Sequence, residues 1–155
     1  MADERMGDRL WRIGLRLAYR AQLLVWFVTR PRLHGAAVAV WHGGRLLVIR
    51  NSYRRLLSLP AGRPRSGEEL RDAAQRELLE EVGIDLPAAA LRFAREIVGR
   101  VAYTEDHVHL FEVQVEQVPA VRVDGREVVW AEFLPPEEAI ARGLAEYVRR
   151  YLAGS

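Results

Sequence analysis

The stretch Gly62-Arg-Pro-Arg-Ser-Gly-Glu68, followed after seven residues by Arg76-Glu-Leu-Leu-Glu-Glu-Val-Gly-Ile84, decides how this chain is read. Leu70, Ala74, Leu78 and Val82 recur at helical spacing, which predicts a helix from Leu70 to Val82 with that stripe on a core. Glu77, Glu80 and Glu81 then stand at i, i+3 and i+4, on one face and a turn apart. Bare carboxylates so close repel each other, and an apolar helix needs no such grouping. A divalent cation among them explains the pattern. An all-oxygen donor set suits a hard ion, magnesium first and manganese as a substitute.

The bland alternative is a solvated glutamate- and arginine-rich face, the usual fate of such a helix. The loop before it argues otherwise. Gly62 to Gly67 holds two glycines, a proline and no bulky apolar residue, and glycine at 62 lets the backbone come close to a metal or phosphate. Glu68 and Arg76 read as a brace between loop and helix, since a guanidinium holds a carboxylate by two parallel bonds. Gly83 reads as a left-handed cap with Ile84 packed behind it. Ser66 with Glu69 has the form of a capping box, which would start the helix early.

The whole string resembles the signature box of the Nudix hydrolases, Gly-x5-Glu-x7-Arg-Glu-U-x-Glu-Glu-x-Gly-U, where U is a bulky aliphatic. Gly62, Glu68, Arg76, Glu77, Leu78, Glu80, Glu81, Gly83 and Ile84 fill every specified position. The resemblance implies an α/β fold, an α/β/α sandwich with a mixed β-sheet and a metal-binding loop and helix. It also implies hydrolysis of a diphosphate bond in a nucleoside diphosphate linked to another moiety. The Gly62 carbonyl would join the metal shell with Glu77, Glu80 and Glu81. Glu80 and Glu81 are the leading ligands, and Glu77 is a ligand or the general base. In this family the helix usually starts about a turn after the Ser66 signal. A further acid often comes from the loop before a tryptophan-bearing strand; Asp124, six residues before Trp130, fits first and Glu127 second.

Composition narrows the rest. With 155 residues, half of them hydrophobic, there is room for one domain with a core and not for two. No cysteine occurs, which excludes disulfides, thiolate metal sites and a cysteine nucleophile, and fits a cytoplasmic setting. All 23 basic residues are arginine, so lysine Schiff-base chemistry is excluded too. Up to His34, seven arginines face Asp3, Glu4 and Asp8, a local charge of +4 against a total of +2. The basicity therefore belongs to an N-terminal arm, and no general nucleic-acid surface is expected of the domain from 35 to 155.

Within that arm, residues 8–28 read as an amphipathic helix. Leu10, Ile13, Leu17, Ala21, Leu24 and Val28 form an apolar stripe, and Arg5, Arg9, Arg12, Arg16 and Arg20 a basic one. The longest uncharged run is too short to span a bilayer, and no signal-peptide pattern is evident. Packing of the stripe on the domain or on the partner copy of a homodimer is the favoured reading. An interfacial membrane helix is the other.

Beyond the arm, Gly35–Trp41 and Arg45–Arg50 read as strands of a hairpin around Gly43-Gly44. Strands follow over 91–98, 108–116 and 127–133, then a helix opened by Pro135-Pro136 and a final helix over 144–152. Arg50, Tyr53, Arg54 and Arg55 precede the signature loop; Arg50, Tyr53 and Arg54 are the candidate contacts to a substrate's phosphates and base. His107 and His109 share a strand face, but without a third ligand they read as ordinary strand residues. His34 and His42 show no partner pattern.

Pro60-Ala61-Gly62 in place of Pro-Gly-Gly looks like the branch that cleaves ADP-ribose and other nucleotide sugars. That branch's proline about fifteen residues after the box is missing, with Gly99-Arg100 there instead, and Tyr103 lies slightly beyond the position of a tyrosine linked to dinucleoside polyphosphates. Two competing functions stand beside hydrolysis of a small nucleotide-type diphosphate. One is a peripheral enzyme acting on a lipid-linked diphosphate, and the other is a non-catalytic nucleotide sensor. An isoprenoid diphosphate isomerase is disfavoured for want of cysteine.

Overall fold

The computed structural model describes residues 6–29, 32–101 and 104–154, with side chains from Trp11 onward except that of Val101. Its centre is β1 (Arg32–His42), whose run Ala36-Ala-Val-Ala-Val40 has no solvent exposure at all. A strand covered on both faces needs such an uninterrupted apolar run. Gly43 and Gly44, with φ of 53° and 76°, turn the chain into β2 (Arg45–Asn51). Two consecutive positive φ values are what a tight hairpin turn demands. β3 (Ala61–Gly62) then pairs with β1 through Ala36 and Ala37.

The sheet is completed by β4 (Arg92–Val101), β5 (Thr104–Gln114) and β6 (Val128–Leu134) in the order β4-β5-β1-β2-β6. β1 and β5 are parallel and the other pairs antiparallel, so the sheet is mixed. β5 begins at Thr104 rather than near Val108, because its polar first turn is paired on both sides, with β1 from Arg32↔Glu105 onward and with β4.

Helices cover both faces. On one lies α2 (Leu70–Val82), whose Ala73, Ala74, Leu78 and Val82 pack on Val38, Val40, Leu47, Ile49 and Phe111. Truncating the fully buried Leu78 to alanine would cost about 2–5 kcal/mol. On the other face lie α3 (Pro136–Arg142) and α4 (Glu146–Ala153), against a second core containing Leu46, Val48, Leu110, Leu134 and Val148.

The ends of α2 show which local signals prevailed. Gly83 is left-handed (φ 69°), and its N–H and that of Ile84 bond the carbonyls of Leu79 and Leu78. The Ser66–Glu69 box does not form. The helix starts at Leu70 with no side-chain cap, because Gly67 (φ 77°) turns the chain and Glu68 instead accepts the Arg65 N–H.

The arm helix α1 (Met6–Thr29) corrects an expectation. Its apolar stripe does not pack on the domain: Leu17, Leu24 and Val28 are 60%, 72% and 80% exposed. Leu15, Tyr19, Leu23 and Trp26 turn inward with Arg12, and none is fully buried. Aromatic and guanidinium contacts decide this orientation. Tyr19 lies 5.4 Å from the Tyr53 ring, Trp26 meets Arg63, Trp11 meets Arg126, and Arg16 donates to the Ser52 carbonyl. Leu10, Arg5 and Arg9, also part of the expected stripes, lie outside the described side chains. No described helix is long and apolar enough to cross a membrane.

Candidate active site

Three elements meet at the signature string: β3, α2 and the loop before β6. Glu81 projects inward from the last turn of α2 and is 5% exposed, its Oε2 accepting the Ala61 N–H at 2.9 Å. Glu77, one turn earlier, is half-buried beside Gly62. A Cβ at Gly62 would fall on the Glu77 carboxylate, so a side chain here would have to displace Glu77 from its bond to Arg76. Glu80 is turned partly away and half exposed, paired with Arg65 at 3.0 Å and Arg76 at 3.3 Å.

Arg76 locks this arrangement. Its Nε and Nη2 make parallel bonds to the two Glu68 oxygens at 2.8 and 2.9 Å, while Nη1 reaches Glu77 at 2.5 Å. Nη2 also donates to the Arg63 carbonyl, which ties the loop's backbone to the helix. The Arg76 guanidinium holds the Glu68 carboxyl down at about 2.

The two loop acids differ in their partners. Asp124 turns its carboxylate onto its own loop, where it accepts the N–H groups of Val128 at 2.8 Å, Glu127 at 3.0 Å and Arg126 at 3.3 Å. It caps a turn at Gly125 (φ 73°). Glu127 instead accepts the Tyr53 hydroxyl at 2.7 Å, and its charge acts on both Glu81 and Glu77. The missed signal was Asp124-Gly125, a turn dipeptide in which the aspartate serves the backbone.

Burial pushes Glu81 up to about 9, with the charges of Glu127 and Glu77 adding to the effect. Glu77 is raised too, again chiefly by burial, although Arg76 pulls it down. Burial and Glu127 together raise the Tyr53 phenol, which therefore stays a neutral donor. Arg76 offsets the charge of Glu77 and Glu80, whereas Glu81, the most deeply buried of the three, takes its hydrogen bond from a backbone N–H. A hard divalent ion fits that donor set, with Glu77, Glu80, Glu81 and the Gly62 carbonyl to hold it.

Of the candidate substrate residues, Tyr53 and Arg54 adjoin the cluster, the Arg54 guanidinium lying over the Tyr53 and Tyr19 rings. Arg50 does not. It stacks 5.9 Å from the Trp130 ring, which packs with the α3–α4 core on the sheet face opposite α2. Alternation along β2 puts it there: Val48, two residues earlier, belongs to the same core. Sequence reading also missed Tyr19 and Trp26, since nothing local places α1 along this rim.

A profile described as NUDIX domain matches residues 31–153, so the chain belongs to the NUDIX family. The complete box on this fold makes it a Nudix-type diphosphate hydrolase by class. A MutT NUDIX hydrolase from Burkholderia pseudomallei superposes with a TM-score of 0.67 at 20% identity, covering 79% of this chain and 96% of that one. The NUDIX domain of Shewanella oneidensis NrtR, complexed with ADP ribose, superposes with 0.66 at 16%, covering 78% and 88%. A C. elegans Ap4A hydrolase gives 0.64 at 19%, covering 79% and 99%. At such identities these likenesses concern the fold. Comparison with curated proteins found no match.

Proposed function

We propose that the protein is a magnesium-dependent hydrolase of a nucleoside diphosphate derivative, with ADP-ribose or another nucleotide sugar as substrate class. One observation carries the reading: the buried Glu81 and the half-buried Glu77, the latter pressed against Gly62, are costly as neighbouring charges unless a further cation joins them. When bound, that ion lowers the pKa of its water and offsets charge on the phosphoryl oxygens. Gly62, Glu77, Glu80 and Glu81 hold it, and Arg76 fixes their rotamers through Glu68. Glu127, oriented by the Tyr53 hydroxyl, is the carboxylate best placed to take a proton from the attacking water, in place of Asp124. Arg54 offers a fork to phosphate, and Tyr53 and Tyr19 offer rings to a base. The same fold holds ADP ribose in the Shewanella oneidensis NrtR domain. The setting we propose is cytoplasmic.

A panel of nucleotide sugars, dinucleoside polyphosphates and nucleoside triphosphates, assayed for released phosphate after phosphatase coupling, tests this. Turnover of nucleotide sugars should require magnesium or manganese and vanish in excess chelator and in Glu81→Gln. Turnover undiminished by chelator ends the metal assignment. Binding of ADP-ribose without turnover of any panel member makes the protein a sensor.

A second reading has its own support. The outward face of α1 carries Ile13, Leu17, Leu24 and Val28, with exposed Arg20 beside Leu24 and Phe27, while Arg12 and Arg16 of the helix and Arg54, Arg63 and Arg126 of the domain lie around its inner side. That pattern suits an anionic bilayer, with the apolar face among the lipids and the arginines at headgroup level. Between Arg9 and Arg32 there is no acidic residue, so a second α1 packed here would bring two arginine fringes together. The site rim would then face the membrane and admit a lipid-linked diphosphate.

A further inference from the structure

On the sheet face that carries α2, but outside the carboxylate cluster, three strands bring polar side chains together at the N-terminal end of β1. Registers place His34 of β1 opposite His107 of β5, and Glu96 of β4 opposite His109 of β5. His107 and His109 are two residues apart and so share a face. The nearest ligand-type atoms of His34, Glu96 and His109 all lie within 4.8 Å of one another. The His34 Nδ1 and His109 Nε2 atoms are 3.4 Å apart, and His109 Nε2 is 3.7 Å from the Glu96 carboxylate.

The first distance is informative. It is long for a hydrogen bond between ring nitrogens, whose usual length is about 2.9–3.0 Å. It equals the edge of a tetrahedron with metal–nitrogen bonds of about 2.0–2.1 Å, for which geometry gives roughly 3.3–3.4 Å. The third member is also held in place. His107 donates to Glu96 at 2.7 Å and its other ring nitrogen lies 3.2 Å from Glu105. The His107 ring therefore fixes the Glu96 carboxylate and leaves it further acceptor capacity.

We propose that His34, Glu96 and His109 form a second metal site, of the zinc class, distinct from the magnesium-type carboxylate cluster. Two imidazoles and one carboxylate select a first-row transition ion over magnesium, and three protein ligands leave a position for water. All three ligands come from different strands, so the ion clamps the β4–β5 hairpin to β1 next to the connection from α1. The proposal stands whichever diphosphate the enzyme cleaves.

Equilibrium dialysis and cobalt absorption spectra of the full chain, stripped with chelator and kept in excess magnesium to occupy the carboxylates, test it. The wild type should bind one zinc and show the intense visible bands of tetrahedral cobalt. His34→Ala and His109→Ala should each weaken binding about a hundredfold and abolish those bands, and Glu96→Gln should weaken it about tenfold or more. Glu80→Gln should leave both intact. The proposal is overturned by absence of stoichiometric zinc in the wild type. It is equally overturned by binding that survives the histidine changes or disappears with Glu80→Gln. Because magnesium-supported turnover is measured separately, failure here is distinguishable from failure of the hydrolase assignment.

Discussion

Asp124 and Glu127 share a loop, yet their carboxylates have different partners. Asp124 satisfies three backbone N–H groups, whereas Glu127 accepts the Tyr53 hydroxyl and its charge acts on Glu81 more than that of Asp124 does. Glu127→Gln should lower kcat by roughly a hundredfold, the usual cost of a lost general base. Asp124→Asn should lower kcat by less than about tenfold while reducing stability by about 1 kcal/mol, since an amide replaces one acceptor oxygen with a donor. Kinetics at saturating magnesium, with thermal melts of both variants, check the order; a reversed order returns the role to Asp124. Glu81 gives a second prediction. Its folded value, about 9, lies above the ordinary 4.5, so protonation favours the fold. That stabilisation is full below about pH 4.5 and is lost as pH rises toward about 9. In chelator, the melting temperature should therefore fall across that window, and magnesium should restore much of it at neutral pH. Melts unaffected by both pH and magnesium would count against a buried, metal-dependent Glu81.

At the scale of the element, α2 and its preceding loop behave as one unit because Arg76 reaches both. One guanidinium contacts Glu68, Glu77, Glu80 and the Arg63 carbonyl. A lysine keeps the charge but cannot make two parallel bonds to Glu68 and still reach the other partners. Arg76→Lys should weaken magnesium binding and lower kcat/KM by about ten- to a hundredfold, with unchanged helical circular dichroism. Magnesium titrations of activity measure it, and a variant with wild-type magnesium dependence would show that the brace is dispensable.

For the whole molecule, the open question of physical consequence is what covers α1. Its outward residues are apolar, and each would contribute about 1.5–3 kcal/mol if fully buried. Full-length protein should sediment with vesicles of about 30% phosphatidylserine, less so at high salt, and not with neutral vesicles. Leu17→Glu with Leu24→Glu should abolish sedimentation and leave hydrolysis of soluble substrate intact. A dimer by light scattering that this double change converts to monomer, together with no vesicle binding by the wild type, would show instead that a second copy covers the face.

Much of this was legible from residues alone wherever the determinant is local. Periodicity and the left-handed cap placed α2, the Gly43-Gly44 pair placed the hairpin, and the box spacing set Glu77, Glu80 and Glu81 a turn apart on α2, because a helix converts sequence distance directly into geometry. Tertiary structure decided what depends on distant chain segments. Sheet alternation carried Arg50 to the far face, the turn at Gly125 consumed Asp124, and α1 showed its aromatic side inward and its aliphatic stripe outward. Strand register then joined His34, Glu96 and His109, which are far apart in sequence, within 4.8 Å. No local pattern encodes such pairings, because they arise only when the shared core brings three strands into one sheet.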